Sequence, residues 1–145
     1  LFTCLYNVFM SDQPILSNKK ILLIDDDKFL LDMYAVKFSK AGYEVKAVDS
    51  TDGGLKLMRQ GYAPQVMLVD IVMPGMDGLD FVNTVRKENL VPNIVVIMLT
   101  NQGSSDDVSR ATKLGVDGYI VKATTIPSEV LNEVERIINS KQKSN

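Results

Sequence analysis

Histidine is absent from this chain and cysteine occurs once, at Cys4. With no imidazole and a single thiol, an internal disulfide, a zinc site of the Cys/His type and every histidine-dependent triad are excluded. Carboxylates, hydroxyls and lysines must carry any chemistry. Charge of one sign is not in excess either: 16 Lys and Arg against 18 Asp and Glu give a net charge of −2 and a pI near 5.1. The basic residues are scattered, so no stripe announces nucleic acid and no direct binding to it is expected. Long hydrophobic runs are also missing. The apolar opening, residues 1–10, falls well short of the roughly 20 residues that span a bilayer and lacks the basic start of a secretory signal. No membrane attachment is expected, and a reducing cytoplasm suits a chain with one cysteine.

What the chain does have is enough apolar material for a core: 145 residues, 46% hydrophobic and 23% charged, fit one domain and not two. Met10 is followed by the polar Ser11-Asp12-Gln13-Pro14, which looks like an ordinary start. Residues 1–18 therefore read as an N-terminal extension, disordered or not native, the rival being an apolar arm that docks on a partner. Residues 19–141 form the expected domain and residues 142–145 a polar tail. No hydrophobic run follows, so the domain is expected to stand alone, without an attached effector.

One stretch organises the rest. Gln65-Val66-Met67-Leu68-Val69-Asp70 is an apolar run of strand length ending in a carboxylate, and Ile71-Val72-Met73-Pro74-Gly75-Met76-Asp77-Gly78 then forces a turn. Around it, strand and helix patterns alternate five times, as in a parallel sheet with crossover helices. The strands are expected at residues 21–24, 43–48, 66–69, 94–99 and 119–121. The first helix shows Phe29, Leu30, Met33, Tyr34, Val36 and Phe38 at helical spacing, read as its core face. Later helices carry Leu55, Leu57 and Met58, then Leu79, Phe81, Val82 and Val85, then a segment from the Ser104 cap to Leu114. The last carries Val130, Leu131, Val134, Ile137 and Ile138. Gly53 and Gly54 are expected to weaken the second helix. The architecture expected is flavodoxin-like: a doubly wound five-stranded sheet in the order 2-1-3-4-5 with five helices.

Sorted by position, the polar residues converge. Asp25, Asp26 and Asp27 follow the first strand, Asp70 the third, Thr100 the fourth and Lys122 the fifth, all at the sheet edge where ligands collect in such folds. Crowded carboxylates repel unless a cation sits among them. A hard divalent ion resolves the conflict, and Mg²⁺ fits best because it takes one or two carboxylates and completes its shell with water and phosphate oxygens. Lys122 supplies a point charge and Thr100 a hydroxyl for phosphoryl oxygens, with Asp70 as the nucleophile that forms an aspartyl phosphate. Asp27 reads as a helix N-terminal charge and not as a ligand.

With Asp25-Asp26, Asp70 in Asp-Ile-Val-Met-Pro-Gly-Met-Asp-Gly, Thr100 and Lys122 in this order, residues 19–141 resemble the CheY-like receiver domain of bacterial two-component response regulators. The resemblance implies that Asp26 and Asp70 ligate Mg²⁺ directly, together with the backbone carbonyl of Val72, and that Asp25 acts largely through water. It implies that Asp70 accepts a phosphoryl group from a sensor histidine kinase or histidine phosphotransferase, and that Thr100 and Tyr119 are a switch pair through which the domain signals to an output protein. Side chains at Val72 and Gln102 would govern the lifetime of the phosphorylated form. Two departures stand out. Ala123 occupies the place of the usual proline, so a cis bond after Lys122 would cost about 3 kcal/mol and the loop from residue 123 to 126 is expected to run differently. Asn101 replaces a small residue and is expected to narrow the mouth of the site. Two other readings compete: a Mg²⁺-dependent phosphatase resembling the haloacid dehalogenase group, which lacks its late acidic pair here, and a binding module that works without phosphorylation.

Overall fold

The apolar runs pair side by side as parallel strands. The computed structural model describes residues 19–101 and 104–143. Its strands are β1 (Lys20–Ile24), β2 (Glu44–Val48), β3 (Val66–Asp70), β4 (Val95–Thr100) and β5 (Gly118–Val121), in one sheet ordered β2-β1-β3-β4-β5. The crossovers contain α1 (Lys28–Lys40), α2 (Thr51–Arg59), α3 (Gly78–Lys87), α4 (Ser105–Lys113) and α5 (Pro127–Lys143), with a 3₁₀ turn at Lys122–Thr124 between β5 and α5. This is the expected flavodoxin-like order with five helices. The N-terminal extension lies outside the described residues.

Every residue of β3 and β4 is buried, as strands covered on both faces require. Alternate side chains feed two cores. Ile21, Leu23, Val66, Leu68, Ile97 and Leu99 pack with α1 and α5, while Leu22, Ile24, Met67, Val69, Val96 and Met98 pack with α2 and α3. Edge strand β2 is largely exposed.

The reading of α1 needs correction. Its buried residues are Leu31, Tyr34 and Phe38, whereas Phe29 is 74%, Val36 54% and Met33 37% exposed. The helix is apolar on more than one side, so periodicity alone does not select the face; the sheet takes the 31/34/38 stripe, with Leu30 and Ala35 at its margin.

Side-chain caps start four of the helices. Asp27 accepts from the backbone N–H groups of Phe29 and Leu30, Ser50 from Gly53, Asp77 from Asp80 and Ser104 from Asp107, each satisfying a donor the first turn leaves open. Two glycines are there for space. A Cβ at Gly54 would press on Ile24 Cδ1 and the Phe81 ring at 2.7 and 3.1 Å, so the residue expected to weaken α2 is what lets it seat against β1 and α3. A Cβ at Gly78 would collide with the carbonyl oxygen of Asp70, and Gly78 N–H donates to Ile71 O at 2.8 Å. The chain thus leaves β3, turns, and returns to start α3 against Asp70 itself.

Gly78→Ala should accordingly cost about 3 kcal/mol, as overpacking against fixed backbone does. Gly115→Ala, at a helix end with φ +67° and open space around it, should cost about 1 kcal/mol for the left-handed conformation alone. Urea unfolding of the two variants checks the ranking, and equal losses would refute it.

Candidate functional site

Register brings the polar residues together. Ile24 lies beside Val69, which sets Asp25 level with Asp70 across β1 and β3. Asp70 lies beside Leu99 and Thr100 beside Val121, so Thr100 and then Lys122 stand one step further out each. Apolar strands end here, and the burial of their neighbours encloses these side chains: Asp25, Asp70, Thr100 and Lys122 are 2%, 5%, 1% and 9% exposed.

The long side chain of Lys122 reaches back across the end of β4. Its ammonium donates to Asp25 Oδ2 at 2.5 Å and pairs with Asp70 Oδ2 at 3.1 Å. Asp25 is held from the other side, where its Oδ1 accepts from Asp27 N–H at 2.9 Å. Asp27 therefore shapes the site as a helix cap and backbone donor. The carboxylates of Asp25, Asp26 and Asp70 each offer an oxygen within 4.8 Å of the others. Asp26 is the exposed member, at the rim.

Burial dominates the acid–base behaviour. It pushes the Asp70 carboxyl from 3.8 up to about 6; Lys122 pulls it down by charge and hydrogen bond, while Asp25 and Asp26 push it further up. Burial alone would lower the Lys122 pKa, but the Asp25 hydrogen bond and the charges of Asp70 and Asp25 outweigh it, so the ammonium is held charged. Tyr34 lies close enough beneath for the same charges to act on its phenol, which burial raises and Lys122 lowers.

Tyr119 packs its ring against the α2/α3 core. Burial raises its hydroxyl, Asp107 adds to the rise and Thr100 opposes it, so the phenol lies near both. Val72, by contrast, is 71% exposed. Asn101 is exposed, and Gln102 lies outside the described residues.

After Lys122 there is no cis peptide among the described residues. The 3₁₀ turn at Lys122–Thr124 is closed instead by Thr125 N–H donating to Lys122 O at 3.2 Å. The hydroxyls of Thr124 and Thr125 both donate to Val121 O, at 3.3 and 2.8 Å. The loop that begins at Ala123 is thus a hydroxyl-bonded turn.

Three contributors escaped the sequence reading. Thr51 is 3% exposed and its hydroxyl donates to Met76 O at 3.0 Å, tying α2 to the loop behind Asp70. Asp77, read as a turn residue, caps α3. Arg110 of α4 reaches the same Asp77 carboxylate at 3.2 Å. Only a residue's distance in space reveals such links; the signal available beforehand was Asp-Gly as a helix start.

Comparisons with known proteins agree with this geometry. The family model described as the response regulator receiver domain matches residues 21–135. The phosphate regulon transcriptional regulatory protein PhoB of Pseudomonas aeruginosa is 28% identical over 120 residues, covering 83% of this chain and 52% of that protein. The chain spans about half the length of the curated relatives it matches. Among solved structures, a CheY-like response regulator receiver domain protein from Methanospirillum hungatei superimposes with a TM-score of 0.79 at 27% identity, over 88% of this chain and 98% of that one. The chemotaxis response regulator CheY4 of Vibrio cholerae gives 0.74 at 28%, over 82% and 98%. Among the described residues no helix is long and apolar enough to cross a membrane. A parallel sheet whose edge gathers three carboxylates around one buried ammonium, matched by that family model over most of its length, makes this chain a member of the response regulator receiver domain family of two-component signalling.

Proposed function

We propose that Asp70 accepts a phosphoryl group from the phosphohistidine of a sensor histidine kinase or histidine phosphotransferase in the cytoplasm, and that the phosphorylated domain signals by binding an output protein. The observation that carries this reading is the pairing of a nearly buried Asp70 with the Lys122 ammonium at 3.1 Å. Receiver domains are phosphorylated by histidine kinases, and this carboxylate alone among the clustered three is both enclosed and free of a second hydrogen-bonded duty. Asp25 has one oxygen engaged by Lys122 and the other by Asp27 N–H, and Asp26 faces solvent.

In the transfer, an Asp70 oxygen bonds to phosphorus as the phosphorus–nitrogen bond to the donor imidazole breaks, and the departing nitrogen keeps the electron pair. Lys122 moves its charge-assisted hydrogen bond to a phosphoryl oxygen, and the buried Thr100 hydroxyl donates to another. Tyr119, whose phenol lies beside Thr100, follows that hydroxyl and reports the change to the surface built from α4, β5 and α5. The donor set fits a hard cation: all oxygens, with Asp26, Asp70 and the Val72 backbone carbonyl as direct ligands and Asp25 acting through water, as the resemblance to the family implies. Bound Mg²⁺ would supply positive charge to the phosphoryl oxygens during transfer.

Incubation with acetyl phosphate and Mg²⁺ should add one phosphoryl group to the parent by intact mass and none to Asp70→Asn, because an amide is not a comparable nucleophile. Asp26→Ala should suppress uptake by removing a ligand. Modification that persists in Asp70→Asn would move the acceptor elsewhere, and sustained phosphate release without a labelled protein would favour a phosphatase.

Asp70 also makes stability depend on pH. Its folded-state pKa of about 6 lies above the ordinary 3.8, so the fold binds that proton more tightly than the unfolded chain does. The favourable contribution is complete below pH about 4 and is lost as pH rises through about 6. In EDTA, Asp70→Asn should be more stable than the parent at pH 7.5 by about 1–2 kcal/mol and equal to it near pH 4, with urea unfolding as the measurement. A variant less stable at pH 7.5 would contradict this sign.

A further inference from the structure

Helix α4 is attached in a different way from its neighbours. Of its nine residues only Ala111 is buried, whereas α3 buries Leu79, Phe81, Val82 and Val85 besides Gly78. Its other apolar side chain of size, Val108, is 44% exposed. Apolar burial is what normally seats a helix; here it is confined to Ala111 and to the partly buried Leu114 at the C-cap, and two arginines add polar contacts across to α3. Arg86 of α3 donates to Gly115 O, just past the end of α4, at 3.1 Å. Arg110, within α4, reaches across to the N-terminus of α3: its guanidinium contacts Asp77 Oδ2 at 3.2 Å and Asp80 Oδ1 at 3.3 Å.

The two sides of the Arg110 contact are unequal. Asp77 stays in place without it, because its Oδ1 accepts Asp80 N–H at 2.8 Å, Gly78 N–H is bonded to Ile71 O at 2.8 Å, and the preceding residue is tied through Met76 O to Thr51. Helix α4 rests on its own Ser104 cap and on Ala111 and Leu114 at its C-terminal end, so its N-terminal half has fewer ties to the sheet. Asp107, one turn earlier on α4, lies 3.7 Å from Arg110 and gives the guanidinium a local alternative when the cross-helix contact opens.

We propose that Arg110 is a latch. It fastens α4 to the rigid end of the loop that follows Asp70, and its opening permits α4 to move when the site is phosphorylated; this second half rests on Asp70 being the phosphoacceptor. The latch belongs to the unmodified arrangement, so phosphorylation works against it and its loss favours the phosphorylated form. Its strength is that of an exposed ion-pair cluster, which is screened by salt.

The test uses the full chain as parent, Arg110→Gln and Asp77→Asn, the last because asparagine still caps α3 while losing the charge. In unmodified, Mg²⁺-free protein, amide exchange across residues 105–113 should be about five-fold faster in both variants, the effect of losing about 1 kcal/mol, and unchanged in β1 and β3. Salt should speed α4 exchange in the parent and not in the variants. Beryllofluoride with Mg²⁺, a mimic of the acyl phosphate, should bind both variants about three- to five-fold tighter, while affinity for Mg²⁺ alone stays the same. Unchanged α4 exchange in both variants overturns the latch. Faster exchange with equal or weaker beryllofluoride binding overturns the coupling. A parent that binds no beryllofluoride overturns the phosphoacceptor reading and the coupling with it, and leaves the latch to be judged by exchange and salt.

Discussion

A single buried ammonium decides how this end of the sheet is built. Two carboxylates on adjacent strands, Asp25 and Asp70, are almost wholly removed from water, and burial of unpaired charge is among the most costly arrangements a fold can contain. Lys122 makes it tolerable by pairing with both. Because β4 lies between β3 and β5, the lysine must extend over the end of β4, and that strand ends there in the small hydroxyl residue Thr100. Site and sheet order are one constraint: the pairing exists only if β1, β3, β4 and β5 stand in this sequence and register.

The compensation is incomplete by design of the charges present. Three carboxylates face one ammonium within the cluster, and the residual repulsion together with burial appears as the raised Asp70 pKa. A fold at rest would be more stable with a neutral residue there. That local excess of negative charge is what a divalent cation among the three carboxylates would offset.

The strand and helix segments and the polar residues at the strand ends were legible in the sequence because each rests on a local signal, whereas the strand order was taken from the known doubly wound arrangement. Runs such as residues 94–99 are apolar throughout, and Asp25, Asp70, Thr100 and Lys122 follow such runs directly. What was not legible depends on distance between elements. On α1 the apolar surplus hid which stripe the sheet would take, and Leu31 was buried in preference to Phe29 and Val36. Gly54 read as a weak helix position because propensity is local, whereas Ile24 and Phe81, the atoms it makes room for, come from other parts of the chain. Thr51 and Arg110 carried ordinary surface-residue signals, and only their partners 25 and 33 residues away give them meaning.

The turn after Lys122 shows how a missing constraint is replaced. Proline at position 123 would restrict the backbone through its ring; Ala123 does not. Here Thr124 and Thr125 converge their hydroxyls on Val121 O, and Thr125 N–H closes onto Lys122 O. These bonds lie at the root of the one side chain on which both buried carboxylates depend. Enthalpy from three hydrogen bonds thus stands where rigidity of a ring would otherwise act, and the two are not equivalent. A ring restricts the unfolded chain as well as the folded one, whereas hydroxyl bonds restrict only the folded state and can open while the sheet stays intact. The backbone at Lys122 is therefore held by contacts that can open and re-form without disturbing the strands.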